Sequence, residues 1–126
     1  MINSTDLDAF GYYDPPQLSP LKMTKAFSKA MQQNLEPQVA AGLIMEEYME
    51  WWDSTSPEEE LKELADLVYV VYGYANVKGW DLDEAVKRVH QSNMSKLDDE
   101  GKPIRREDGK ILKGPHYKKP SLGDLI

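Results

Sequence analysis

The sequence predicts an all-α fold of four helices, led by an extended arm and closed by an irregular tail. Three observations carry this. Apolar residues recur at helical spacing between residues 21 and 96. Ser56 and Asp81 each stand three residues before an acid, the pattern that starts a helix. Glycine and proline punctuate both ends, with Gly11, Pro15, Pro16 and Pro20 before the helical stretch and Gly101, Pro103, Gly109, Gly114, Pro115 and Pro120 after it. A chain of 126 residues is expected to form one domain, here an arm over 1–20, a helical core over 21–96 and a tail over 97–126.

The elements follow in order. Helix one is expected from Leu21 to Gln33, with Leu21, Met23, Phe27, Ala30 and Met31 as its apolar stripe. Pro37 suits the first turn of helix two, where its missing N–H costs nothing, and that helix runs to about Trp52. Helix three starts at the Ser56-Pro57 cap with Glu59 completing a capping box, and ends at Val77 or Lys78 because Gly79 can take a left-handed conformation. Between Leu64 and Ala75 it is apolar nearly all round, as a helix buried among others would be. Asp81 caps helix four, which extends to about Lys96. In the tail, PIRREDGKIL is expected to turn back on itself around Asp108-Gly109.

Composition narrows the function. The net charge of −7 argues against a nucleic-acid-binding protein, which needs a basic face against phosphates. Residues 96–126 hold eight of the fifteen Lys and Arg and six of the twenty-two Asp and Glu, a net of +2, leaving −9 on the residues before them. An acidic body with a basic tail suits a small phosphorylated ligand, and also an ordinary solvated surface. Without cysteine, disulfides and thiolate metal sites are excluded. The opening MINSTDLDAF lacks the basic and apolar regions of a signal peptide, and no apolar stretch is long enough to span a bilayer, so the expectation is a cytoplasmic protein with no membrane partner.

Two acidic pairs stand out: Glu47 with Glu50 on helix two, and Glu63 with Asp66 on helix three. Each has i, i+3 spacing, which puts its carboxylates on one face about 4.5 Å apart along the axis. Clustered carboxylate oxygens suit Mg²⁺ or Mn²⁺, and four like charges facing one another call for a cation. Either pair alone reads more readily as a solvated helix face. Glu58, Glu59 and Glu60 complement the dipole at the start of helix three.

Glu47-x-x-Glu50, twelve intervening residues, then Glu63-x-x-Asp66 resembles the signature of the all-α nucleoside triphosphate pyrophosphohydrolases. ELADLVYVVYGYANVKGWDLDEAVKRVHQSNMSKL, followed by DGKILKGPHYKKP, is similar to the small single-domain MazG-like branch found in bacteria and phages, over residues 21–122. The resemblance implies a four-helix MazG-like bundle in which Glu47, Glu50, Glu63 and Asp66 are metal ligands. It implies that Asn93 and Lys96 meet the substrate's sugar or phosphates, and that Lys113 and Tyr117 belong to a segment closing over the nucleotide of its own or a neighbouring subunit. Lys62, on the metal-facing side of helix three, is expected to help neutralise phosphate. Duller readings stand beside these: Asn93 as a helix end, Lys96 and Lys113 as solvated lysines, Tyr117 as packing for the tail.

The implied activity is hydrolysis of a nucleoside triphosphate to the monophosphate and diphosphate by metal-activated water, with Glu50 orienting or deprotonating that water. Phosphoribosyl-ATP hydrolysis and a non-catalytic helical adaptor are the alternatives. The base is expected to be a purine, dGTP or GTP first, read either by acceptor groups or by an apolar slot at Ile44 or Phe27. The aromatic surplus of Tyr48, Trp51, Trp52, Tyr69, Tyr72 and Tyr74 exceeds what a thin core can cover, and with the resemblance it points to a homotetramer built from dimers.

Overall fold

A computed structural model describes residues 18–126, and the expected arm over 1–20 lies almost wholly outside them. The described residues form four α-helices, α1 (Pro20–Ala30), α2 (Pro37–Trp52), α3 (Pro57–Lys78) and α4 (Leu82–Met94), with a two-stranded ribbon and a short 3₁₀ turn near the end. The fold is all-α. The chain divides into two compact units, one ending at Trp80 and the other running Asp81–Ile126.

In the first unit α3 packs against both α2 and α1. The four residues between α2 and α3 turn the chain back sharply, as short connections between neighbouring helices do. Ser56 caps α3 as expected, its hydroxyl accepting from the Glu59 N–H at 3.1 Å. Gly79 closes it at φ 74°, with the Trp80 N–H reaching Ala75 O at 2.9 Å. Asn76 on α3 donates to Leu21 O and to Thr24 Oγ1 on α1, at 3.1 and 2.6 Å. Phe27 meets Tyr69 edge to face, with centroids 5.7 Å apart.

Three expectations are corrected here. Pro20 belongs to α1 rather than to the arm: it stands at the first helical position behind Ser19, whose hydroxyl accepts from the Lys22 N–H at 3.2 Å. That is the same Ser-Pro signal that starts α3. Helix one also ends at Ala30, not Gln33, because Gln32 turns left-handed at φ 53°. The Gln33 and Gln32 N–H groups then bond to Ser28 O and Lys29 O, a Schellman closure built on glutamine instead of glycine. Finally, α3 is not enclosed by the helices of its own unit. Among its residues only Glu63 and Ala75 are buried, while Leu61 is 69% and Val68 49% exposed. Within the first unit α1 and α2 cover one side of α3 and leave the stripe of Leu61, Leu64 and Val68 exposed.

In the second unit Asp81 caps α4 through the Glu84 N–H at 3.0 Å. The helix stops at Met94, two residues before the expected end, where the Ser95 hydroxyl folds back on Ser92 O at 2.6 Å. The expected hairpin forms, with β1 (Ile104–Arg105) antiparallel to β2 (Ile111–Leu112) and Gly109 at φ 89° in the turn. The tail is clasped to α4 by three side chains. Ser92 Oγ donates to Lys118 O at 2.7 Å, Ser95 Oγ accepts from the Lys118 N–H at 2.9 Å, and Arg88 bonds to Asp124 and to Ser121 O.

Candidate active site

Helical spacing puts Glu47 and Glu50 on one face of α2, and Glu63 and Asp66 on one face of α3. Packing of α2 on α3 then turns the two faces together. Ligand oxygens of Glu47, Glu50 and Glu63 lie within 4.8 Å of one another. Glu63 is buried, Glu47 half-buried and Glu50 exposed, so the group opens to solvent at the Glu50 side.

The electrostatics are unbalanced. Glu47 Oε2 and Glu63 Oε2 are buried with no hydrogen-bond partner among the described residues. Unpartnered buried carboxylate oxygens are costly, and stacking them against each other adds repulsion. The Glu47 carboxyl responds by holding its proton to about pH 7 instead of the usual 4.5. Burial is the largest cause; the hydrogen bond and charge of Glu50 come next, and the charges of Asp66 and Glu63 add to them. Asp66 stands beside this trio and is neutralised differently: Lys62 Nζ sits 2.6 Å from its Oδ2 and 3.4 Å from Glu63 Oε1. Those two carboxylates hold the exposed Lys62 ammonium above its ordinary range, Asp66 first. Lys62 therefore already serves the α3 pair, and among the described residues no cation pairs with Glu47 or Glu50. Oxygen-only donors at this spacing fit a hard divalent cation.

Compared with known protein families, residues 20–93 match phosphoribosyl-ATP pyrophosphohydrolase (PRA-PH), more than half of the chain. The chain belongs to this family. Through it, the protein is a pyrophosphohydrolase of the all-α MazG-like nucleoside triphosphate superfamily, whose members generally depend on a divalent metal. No curated protein matches the chain. The family match contains all four acids and reaches Asn93 at its end; Lys96, Lys113 and Tyr117 lie beyond it.

Within this PRA-PH chain, the remaining expected substrate residues all sit in the second unit. Asn93 is exposed in the last turn of α4, its carbonyl accepting from the Lys96 N–H at 3.1 Å. Lys113 Nζ lies over the Tyr117 ring, 4.8 Å from its centroid. Gly114 runs so close to the end of α4 that a Cβ there would fall 2.3 Å from Leu97 O and 2.6 Å from Lys96 O, so the backbone beside Lys113 is pinned next to Lys96. The structure thus brings Lys96, Lys113 and Tyr117 into one neighbourhood.

Sequence reasoning missed a cleft of about 510 Å³ in the first unit, between α1, the loop after it, α2 and α3. Phe27 lines it and Ile44 does not; Thr24, Tyr69, Gly73 and Asn76 also line it. The available signal was Asn76 itself, a polar residue ending the apolar run of α3. No helix among the described residues is long and apolar enough to cross a membrane.

Proposed function

We propose that this protein hydrolyses nucleoside triphosphates to monophosphate and diphosphate, with Mg²⁺ or Mn²⁺ held by Glu47, Glu50, Glu63 and Asp66. The observation that carries the reading is the pair of buried carboxylate oxygens on Glu47 and Glu63, without partners among the described residues and clustered with Glu50 as oxygen-only donors. A divalent cation there supplies Lewis acidity, offsetting charge on the phosphate oxygens and lowering the pKa of water.

The chain's own residues do the rest. Glu50 is the solvent-facing member of the trio and is assigned to orient the attacking water and take its proton. Lys62, already drawn to Asp66 and Glu63, is assigned to pair with phosphate oxygens as they arrive. By the resemblance, Asn93 and Lys96 are assigned to the sugar or phosphates, and Lys113 and Tyr117 to a segment that closes over a nucleotide, in its own or a neighbouring subunit. No covalent nucleophile is required, because phosphoryl transfer runs on positioning and electrostatics.

The substrate is taken as a purine nucleotide, dGTP or GTP first. Phosphoribosyl-ATP is the second reading, favoured by the family match itself, and it uses the same carboxylates on a bulkier molecule. We further read residues 1–126 as one domain and the working protein as a cytoplasmic homotetramer. Support for assembly is the large apolar surface left open, including Met45 at 70% and Trp52 at 66% exposed. A 14.4 kDa particle by light scattering at micromolar concentration would rule the tetramer out.

The deciding experiment incubates the protein and Mg²⁺ with the four dNTPs, the NTPs and phosphoribosyl-ATP, scoring diphosphate release. A triphosphate with the highest kcat/KM supports the first reading. Phosphoribosyl-ATP far ahead of all others replaces it with the second. No release from any of them leaves a non-catalytic adaptor.

A further inference from the structure

The cleft in the first unit continues the faces that carry the carboxylates. On α3, Val70 and Gly73 line it one and two turns beyond Asp66; on α2, Leu43 and Ala40 line it one and two turns before Glu47. A molecule anchored at the acids and laid along this groove meets the Phe27 and Tyr69 rings next. It reaches Asn76 about 15 Å along the helix axis from Asp66. A nucleotide has that reach when its α-phosphate lies at the carboxylate end.

Asn76 is not free to turn. Its Nδ2 donates to Leu21 O, which can only accept, at 3.1 Å. Its second bond runs to Thr24 Oγ1 at 2.6 Å, and that hydroxyl spends its own proton on the Pro20 and Leu21 carbonyls at 3.0 Å. Thr24 is buried, so the clamp is sheltered from water. Both amide protons are therefore committed to α1, and Oδ1 is left as an acceptor of set orientation, with no partner among the described residues.

We infer that the cleft receives the base of the nucleotide and that Asn76 Oδ1 accepts a hydrogen bond from an exocyclic amino group of that base. The inference rests on the proposed function in taking the ligand to be a nucleotide whose phosphates lie at the carboxylates. Tyr69 and Phe27 offer ring surface to any base; Asn76 favours one that presents an amino donor at its oxygen. Thr24 is a positioning residue, since it acts through Asn76.

The test compares ligands that differ by that amino group, GMP against IMP, on the full chain in Mg²⁺, followed by NMR. The expected result is about tenfold tighter binding of GMP, the effect of one neutral hydrogen bond. The side-chain amide of Asn76 and the backbone signals of Tyr69 and Gly73 should shift with it. In Asn76→Ala the two ligands should bind alike. Because the comparison is made on the ligand, it stands even where the variant fails to fold. Equal affinities for GMP and IMP, or shifts that avoid Tyr69, Gly73 and Asn76, overturn the inference. Hydrolysis separates it from the catalytic reading. If GTP and ITP are cleaved with equal kcat/KM, the cleft assignment fails and the proposed function stands. If neither is cleaved while GMP still outbinds IMP at these residues, the assignment stands and the catalytic reading fails.

Discussion

Replacing Glu47 by glutamine should make the metal-free protein more stable at neutral and alkaline pH. The carboxyl keeps its proton to about pH 7 in the folded chain against 4.5 ordinarily, so the fold disfavours its charged form. For a group raised in this way, the stabilising contribution is fully present below about 4.5 and is lost as pH rises through about 7. At about 1.36 kcal/mol per pKa unit the full loss has a ceiling of about 3 kcal/mol. Glu47 is only half-buried, and solvent screening reduces that to about 1–2 kcal/mol. Glutamine keeps the shape and never ionises. In EDTA at pH 8 its melting temperature should exceed wild type by about 3–8 °C, and the gap should close by pH 4.5. Metal should reverse the order: at a hundredfold excess over its Kd a cation stabilises wild type by about 2.7 kcal/mol, and the variant by less. Thermal melts across pH, with and without Mg²⁺, give all three comparisons. A variant less stable than wild type in EDTA at pH 8, or a gap that persists at pH 4.5, refutes the reasoning.

Glu50→Gln, Glu63→Gln and Asp66→Asn should each lower turnover by more than about 100-fold while circular dichroism stays that of wild type; one of them retaining near-normal kcat in saturating Mg²⁺ removes that residue from the ligand set. Gly114→Ala forces a Cβ onto the Lys96 and Leu97 carbonyls and should cost about 1–3 kcal/mol. Hydrogen exchange should then speed up at the Tyr117 N–H, which bonds to Gly114 O; unchanged protection there would show that the tail does not depend on this approach. Gln32→Gly relieves a left-handed glutamine and should raise stability by about 0.5–1 kcal/mol in urea, and a lowered midpoint would mean the closing turn of α1 carries no strain.

Local chemistry made much of this protein legible in its sequence. The Ser56-Pro57 and Asp81 caps, the Gly79 stop and the Asp108-Gly109 turn each involve residues within a few positions of one another, so they can be read without knowing the fold. The i, i+3 spacing of the acids likewise decides which helix face each pair occupies. It does not decide how far that face is turned toward its neighbour, which depends on the packing of α2 on α3. Only the tertiary structure therefore shows that Glu63, and not Asp66, joins Glu47 and Glu50 in the close trio. The same holds for the burial of the Glu47 and Glu63 oxygens, which produces the raised Glu47 carboxyl. Asn76 is the furthest case: its partners Leu21 and Thr24 lie more than fifty residues away, and no spacing rule links positions that meet only when α1 packs on α3. Periodicity assigns faces to a helix; what each face touches is settled by packing between helices.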